Sequence, residues 1–374
     1  MTTALLIHGF LDDASVWDGV VAALPDTVAT VRYQLPGFGA RTDAVSDPRE
    51  VSLASLAAEA GAIIDGLDQD VIVVGHSLGS QVAQLVAADH ADKVAGLVLL
   101  TPIPLGGTRL PDEALAPFRA LGGDYAAQRA ARAQLSPALV DEQLDRLTRT
   151  GVPARPDVVS HYVDVWNDGA AHTPPESAFT GPVLVIRGGA DAFVTQEVAA
   201  AVVSRFPQAR EEVIDQGGHW AHVEYPDQVA ALIDAFTSGV TASAWRRGFA
   251  QQSQAAFAEA FAEDVVLDAT TLWEPISGRD NVAVVMATAS SIYETLEFTG
   301  EATDGSTSYL QWRATAFGGM NIRGITILER GADGQVTSAA IHHRPLSAVL
   351  RFATEIRNRL DGVIPARHFI QETA

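Results

Sequence analysis

The chain has 374 residues, no cysteine, and 46 acidic against 25 basic side chains, a net charge of −21. That length favours two domains over one. The acidic surface argues against a nucleic-acid partner, and the missing thiols exclude disulfides, cysteine nucleophiles and Cys-ligated metals. The start, Met1-Thr2-Thr3-Ala4-Leu5-Leu6-Ile7-His8-Gly9, lacks a basic segment and a cleavage site, and no apolar run reaches the ~18 residues of a spanning helix. A cytoplasmic protein without membrane contact is the expectation.

Apolar runs over Thr3–His8, Thr27–Arg32, Asp70–Val74, Val94–Leu100, Pro182–Arg187 and Glu211–Asp215 predict strands. Most are continuous rather than alternating, as in a parallel sheet covered on both faces. Helical patterns such as Leu53–Leu67 and Ser80–His90 lie between them, so the first part reads as an α/β fold. Residues 103–180 carry helical stretches and prolines but no strand run, which predicts a helical cap inserted between two strands.

The character changes near Ser238-Gly239, which sets the expected domains at 1–240 and 241–374. Trp245–Phe261 predicts one amphipathic helix. Ser308–Phe317, Met320–Glu329 and Thr337–Arg344 predict long strands, with a hairpin turn at Gly331-Ala332-Asp333-Gly334. A helical pattern resumes over 345–361, giving α+β order.

Gly75-His76-Ser77-Leu78-Gly79 fits G-x-S-x-G. The pentapeptide alone is weak, but a strand precedes it and a helix follows, an arrangement that lifts a serine hydroxyl above the end of a sheet. A serine needs a base, and the base needs an orienting acid. Asp191 follows the strand at 182–187 and His219 follows the strand at 211–215, in the chain order Ser, Asp, His. Two residues compete with them: His222, three positions past His219, and Asp215, at a strand end close to His219. His76 is expected to pack within the elbow. The turn His8-Gly9-Phe10 would present the Phe10 N–H, and the elbow the Leu78 N–H, as an oxyanion hole.

These residues resemble the α/β-hydrolase superfamily over about residues 3–237. The resemblance implies a mostly parallel sheet with a helical cap, reduced to about six strands because the chain begins at the strand before the oxyanion turn. It implies acyl transfer: Ser77 attacks a carbonyl, His219 takes its proton, Asp191 holds the imidazole, and Phe10 and Leu78 bind the oxyanion, with no metal or cofactor. Members that open epoxides or remove halogen carry an aspartate where this chain has Ser77. The expected substrate is a small to medium hydrophobic ester or lactone. C–C bond hydrolysis, perhydrolysis, or a ligand-binding sensor with residual hydrolysis are the alternatives. Leu11, Trp17 and Trp220 are candidates for the pocket floor. Phe118, Leu121, Tyr125, Leu135, Leu139, His161, Tyr162 and Trp166 are candidates for its roof, or equally for the cap's own core.

Residues 245–365 resemble the SnoaL-like, nuclear-transport-factor-like cone. The carriers are the opening helix, Trp273-Glu274-Pro275-Ile276-Ser277-Gly278 and His343-Arg344-Pro345-Leu346-Ser347. Asp264, Asp268, His342 and Arg313 are candidates to line it, and His342 and His343 must face opposite sides of one strand. This domain is also the candidate surface for homodimerisation. No catalytic residue is assigned there.

Overall fold

A run such as Val71-Ile72-Val73-Val74 has no polar face, so it is stable only where helices cover both sides. The structure, a computed structural model, describes residues 2–67, 70–304, 306–331 and 335–370. It places six strands in one parallel sheet: β1 (Thr2–Ile7), β2 (Val28–Tyr33), β3 (Val71–His76), β4 (Val94–Leu100), β5 (Val183–Gly188) and β6 (Ala209–Ile214), in the order β2-β1-β3-β4-β5-β6. Every residue of β3 is buried. At the sheet's edges, β2 and β6 carry partly exposed polar residues such as Arg32, Glu211 and Glu212. Helices α1 (Asp18–Ala23), α2 (Leu53–Asp65) and α3 (Leu78–Asp89) connect the first strands.

The sheet grows outward from β1 in two directions, so the loops after β1 and β3 leave its carboxyl edge side by side. That divergence is where open α/β sheets bind ligands. The insertion between β4 and β5 consists of α4 (Asp112–Arg119), α5 (Tyr125–Leu135), α6 (Asp141–Gly151) and α7 (Pro156–Asp168), and no strand occurs among its described residues. Helices α8 (Gln196–Val203) and α9 (Ala221–Glu224) follow β5 and β6.

The chain divides into two compact units, Thr2–Asp234 and Ala235–Ala374, and the division falls inside helix α10 (Pro226–Gln251). The single helix expected over Trp245–Phe261 is not formed. Gln252 takes a left-handed φ of 49°, the helix stops, and α11 (Gln254–Ala260) restarts after Ser253. Phe261 belongs to a strand.

The second unit holds β7 (Phe261–Ala269), β8 (Ile276–Ser277), α12 (Arg279–Ser290), β9 (Tyr293–Asp304), β10 (Thr307–Ala316), β11 (Met320–Arg330), β12 (Val336–Arg344) and α13 (Leu346–Arg359). Its sheet runs β8-β7-β12-β11-β10-β9, with only β7 and β12 parallel. Strands β7, β8 and β9 add to the three the sequence marked. Strands β11 and β12 pair antiparallel, but residues 332–334 of the expected turn lie outside the described residues. Along β10 the burial alternates: Leu310, Trp312 and Ala314 face the core and Gln311 and Arg313 face out. Among the described residues no helix is long and apolar enough to cross a membrane.

Candidate active site

Ser77 sits between the last residue of β3 and the first of α3, at φ 51° and ψ −119°. Such a conformation costs of order 1–3 kcal/mol in a non-glycine residue and persists only where its surroundings impose it. Here the Ser77 N–H donates to the Leu100 carbonyl at 3.0 Å. Its own carbonyl accepts from the Ser80 N–H at 2.8 Å and the Ser80 hydroxyl at 2.5 Å. The flanking glycines are sterically required: a Cβ on Gly75 would lie 2.3 Å from the Gly79 carbonyl oxygen, and one on Gly79 2.5 Å from those of Ile7 and His8.

The Ser77 hydroxyl lies 2.9 Å from His219 Nε2, and His219 Nδ1 lies 2.8 Å from Asp191 Oδ2. All three residues are buried. Asp191 Oδ1 also accepts the Phe193 and Val194 N–H groups at 2.8 and 3.1 Å. Burial works to raise the Asp191 pKa, but the His219 ring and the backbone donors outweigh it and hold the carboxyl below its ordinary range. An ionised Asp191 keeps the proton on Nδ1 and leaves Nε2 free to accept from serine. The His219 carbonyl is fixed by His76 Nε2 at 2.9 Å and the Thr101 hydroxyl at 3.1 Å.

The two competing residues lie elsewhere. Asp215 is exposed beyond the end of β6. His222 is fully buried against Trp17 and His76, with ring centroids 4.7 and 4.3 Å away. Neither His222 nitrogen has a hydrogen-bond partner among the described residues, and burial pushes its pKa well below the ordinary value. It is a neutral packing group. His76 is likewise buried with its pKa pushed well down by desolvation, and it packs in the elbow.

The loop after β1 is shaped by His8. Its Nε2 accepts the Leu35 N–H at 3.0 Å, so Nδ1 carries the proton and donates to the Gly9 carbonyl at 2.9 Å. A trans peptide sends its N–H opposite its carbonyl, so this bond turns the Phe10 N–H away from His8. Gly9 presses on the elbow: a Cβ there would meet His76 Nδ1 at 2.7 Å and Ser77 Cβ at 3.2 Å. Neither the Phe10 nor the Leu78 N–H has a hydrogen-bond partner among the described residues.

Ser77 and His219 open on a cavity with about 550 Å³ of free space, adjoining open solvent included. Of the sequence candidates, Leu11, Phe118, Leu121, Leu135, Trp166 and Trp220 line it. Tyr125 and Tyr162 do not. Tyr125 starts α5 at the surface, 38% exposed, with its hydroxyl on Asp145. Tyr162 fills the cap's core and donates to the Pro36 carbonyl at 2.7 Å. Trp17, Leu139 and His161 also lie off the cavity. Five lining residues are not marked by the sequence: Ile103, Gln128, Ala131, Arg132 and Phe193. Phe193 sets its ring perpendicular to that of His219 at 5.7 Å, and its place two residues past Asp191 was the available signal. Gln128 and Arg132 are polar residues of α5 that carry no apolar signature, yet both are buried.

In the second unit the sequence candidates face outward. Asp264, Asp268 and His342 are exposed, and Arg313 pairs at the surface with Glu297 at 2.6 Å. The inward histidine is His343, on the same face as Ile341, facing an apolar pocket lined by Phe249, Tyr293, Trp312 and Phe352. Its Nε2 lies 3.0 Å from the Tyr293 hydroxyl and its Nδ1 3.1 Å from the Thr270 hydroxyl. Burial lowers its pKa to about 4.

Comparisons with known proteins agree with this architecture. The alpha/beta hydrolase family matches residues 4–232, and a SnoaL-like domain matches residues 242–339. An esterase of Escherichia coli is 29% identical over 186 residues, 46% of this chain and 70% of the relative. A pimeloyl-[acyl-carrier protein] methyl ester esterase of Aromatoleum aromaticum is 28% identical over 63% of this chain and 98% of its own. A thermophilic esterase of Thermogutta terrifontis is similar in fold, with a TM-score of 0.54 at 23% identity over 64% of this chain and 90% of that one. With more than half of its length matched, the chain belongs to the alpha/beta hydrolase family.

Proposed function

We propose that the protein hydrolyses a small to medium hydrophobic carboxylic ester through an acyl-enzyme on Ser77. The family and the esterase relatives mark it as a carboxylic ester hydrolase. The observation that carries the residue assignment is the unbroken chain from Ser77 Oγ through His219 to Asp191, 2.9 and 2.8 Å long, at the floor of an apolar cavity.

His219 Nε2 takes the serine proton as the hydroxyl attacks the ester carbonyl. The Phe10 and Leu78 N–H groups receive the negative charge that develops on the carbonyl oxygen, a contribution worth roughly 2.7–4 kcal/mol per donor. Asp191, held ionised, stabilises the imidazolium. His219 then returns the proton to the departing alcohol, and the acyl group stays on Ser77. Water repeats the sequence and frees the acid. The aromatic walls from Phe118, Trp166 and Phe193 favour an apolar acyl chain or ring over a charged one.

A series of p-nitrophenyl esters from acetate to dodecanoate tests this reading. The expected result is turnover that peaks at short to medium chains and is abolished in Ser77→Ala. No turnover of any ester by the wild type, or full turnover by Ser77→Ala, would overturn it.

A further inference from the structure

Arg132 of α5 is buried within the cap, yet it does not serve the cap alone. Its Nη2 donates to the Leu11 carbonyl at 2.6 Å and its Nη1 to Asp12 Oδ1 at 2.9 Å. Both acceptors belong to the loop after β1, next to Phe10. Leu11 takes a left-handed φ of 60°, a conformation that a branched side chain disfavours and that an outside partner must hold. Asp12 is fully buried, and its second oxygen accepts from Trp220 Nε1 at 2.9 Å. The Arg132 guanidinium lies over the Trp220 ring, 4.9 Å from its centroid. A buried ion pair is retained only with close geometry and further hydrogen bonds, and these contacts supply both.

The same helix grips the loop that carries the base. The His219 N–H donates to the Leu135 carbonyl at 2.9 Å, and the Trp220 N–H to the Ser136 hydroxyl at 2.8 Å. Gly218 runs so close to Ser136 that a Cβ would sit 2.4 Å from its Cα. One cap helix therefore ties together the loop bearing Phe10 and the loop bearing His219, which leave the sheet after β1 and after β6.

We infer that α5 is a fixed brace of the catalytic machinery, with Arg132 its positioning residue: it holds the oxyanion loop in register with the base and so sets the rate of acyl transfer. The inference rests on the hydrolase reading of Ser77. It separates the cap into parts. Phe118 of α4 and Trp166 of α7 shape the pocket, whereas α5, which also lines it through Arg132 and Leu135, holds the catalytic loops in register as well.

The test compares kcat and KM for p-nitrophenyl butyrate, per site titrated with a fluorophosphonate. Arg132→Met alone strands a buried carboxylate and risks misfolding, so the informative variant is Arg132→Met with Asp12→Asn, which removes both charges. Misplacement of a catalytic group by about 1 Å costs roughly 100-fold, so kcat should fall about that far while KM stays near the wild-type value. Arg132→Lys, which keeps the charge but loses the two-pronged contact, should recover part of the loss. Arg129→Met, one turn away on the same helix and paired among the described residues with Asp141 and Asp145, should match the wild type. A folded double variant with wild-type kcat overturns the role of Arg132. If the double variant does not fold, Arg132→Lys decides, and unchanged kcat in it overturns the role. A wild type that neither turns over esters nor takes the label at Ser77 overturns the hydrolase reading itself, and is distinct from either result.

Discussion

His222→Leu separates the proposed base, His219, from its neighbour in sequence and puts a magnitude on burial. His222 lies within three residues of His219 but is closed off behind Trp17 and His76, with neither ring nitrogen partnered among the described residues. Its pKa is pushed well below the ordinary value by desolvation. In the unfolded chain the ring titrates near pH ~6.5. Below that pH the unfolded state binds a proton that the folded state refuses, so the stabilising contribution is complete above it and is lost as the pH falls. One unit lower, at about pH 5.5, the loss is about 1.4 kcal/mol for this one group, against less than about 0.1 kcal/mol at pH 7.5. His222→Leu removes that proton uptake. Chemical unfolding of the wild type and the variant, compared at the two pH values, should show the variant losing about 1.4 kcal/mol less on acidification. The difference between pH values cancels any packing change that leucine brings. Ester turnover should persist in the variant. An unaltered pH dependence would refute the neutral, buried assignment, and loss of turnover with an intact fold would return His222 to the catalytic chain.

Other predictions concern the site itself. Asp191→Asn keeps the geometry but reverses the tautomer of His219, so kcat should fall by about 10⁴-fold with little change in KM; a loss below tenfold would sever Asp191 from the chemistry. Trp166→Ala opens the cavity wall beside Phe118 and Phe193 and should cost roughly 3–5 kcal/mol in stability. It should also move the preferred acyl chain to a longer one, and an unchanged chain-length profile would remove Trp166 from the pocket.

What the sequence made readable was local. Ser77 follows the apolar strand β3 directly, and Asp191 and His219 lie in the short loops that follow β5 and β6, so a few neighbouring residues suffice to place them at one sheet edge. Sheet alternation was equally strict: only one of His342 and His343 faces inward, though which one depends on register with Ile341. Asp264 and Asp268 failed as cone candidates because Val265, Leu267 and Ala269 take the inner face of β7. Strand β9, Tyr-Glu-Thr-Leu-Glu-Phe-Thr-Gly, has too few apolar residues to stand out. In the cap, helix periodicity does not say which face meets the sheet, and so Tyr125 and Tyr162 were candidates on the same footing as Trp166. Arg132 was invisible for a different reason. A buried arginine has meaning only through Asp12 and Leu11, 120 and 121 residues away.

The most direct test of the central claim is covalent. Treatment of the full chain with a fluorophosphonate, followed by proteolysis and mass mapping, should place one adduct on Ser77 and none in Ser77→Ala. An adduct on any other residue, or no adduct under conditions that label other serine hydrolases, would contradict the assignment of Ser77 as the nucleophile.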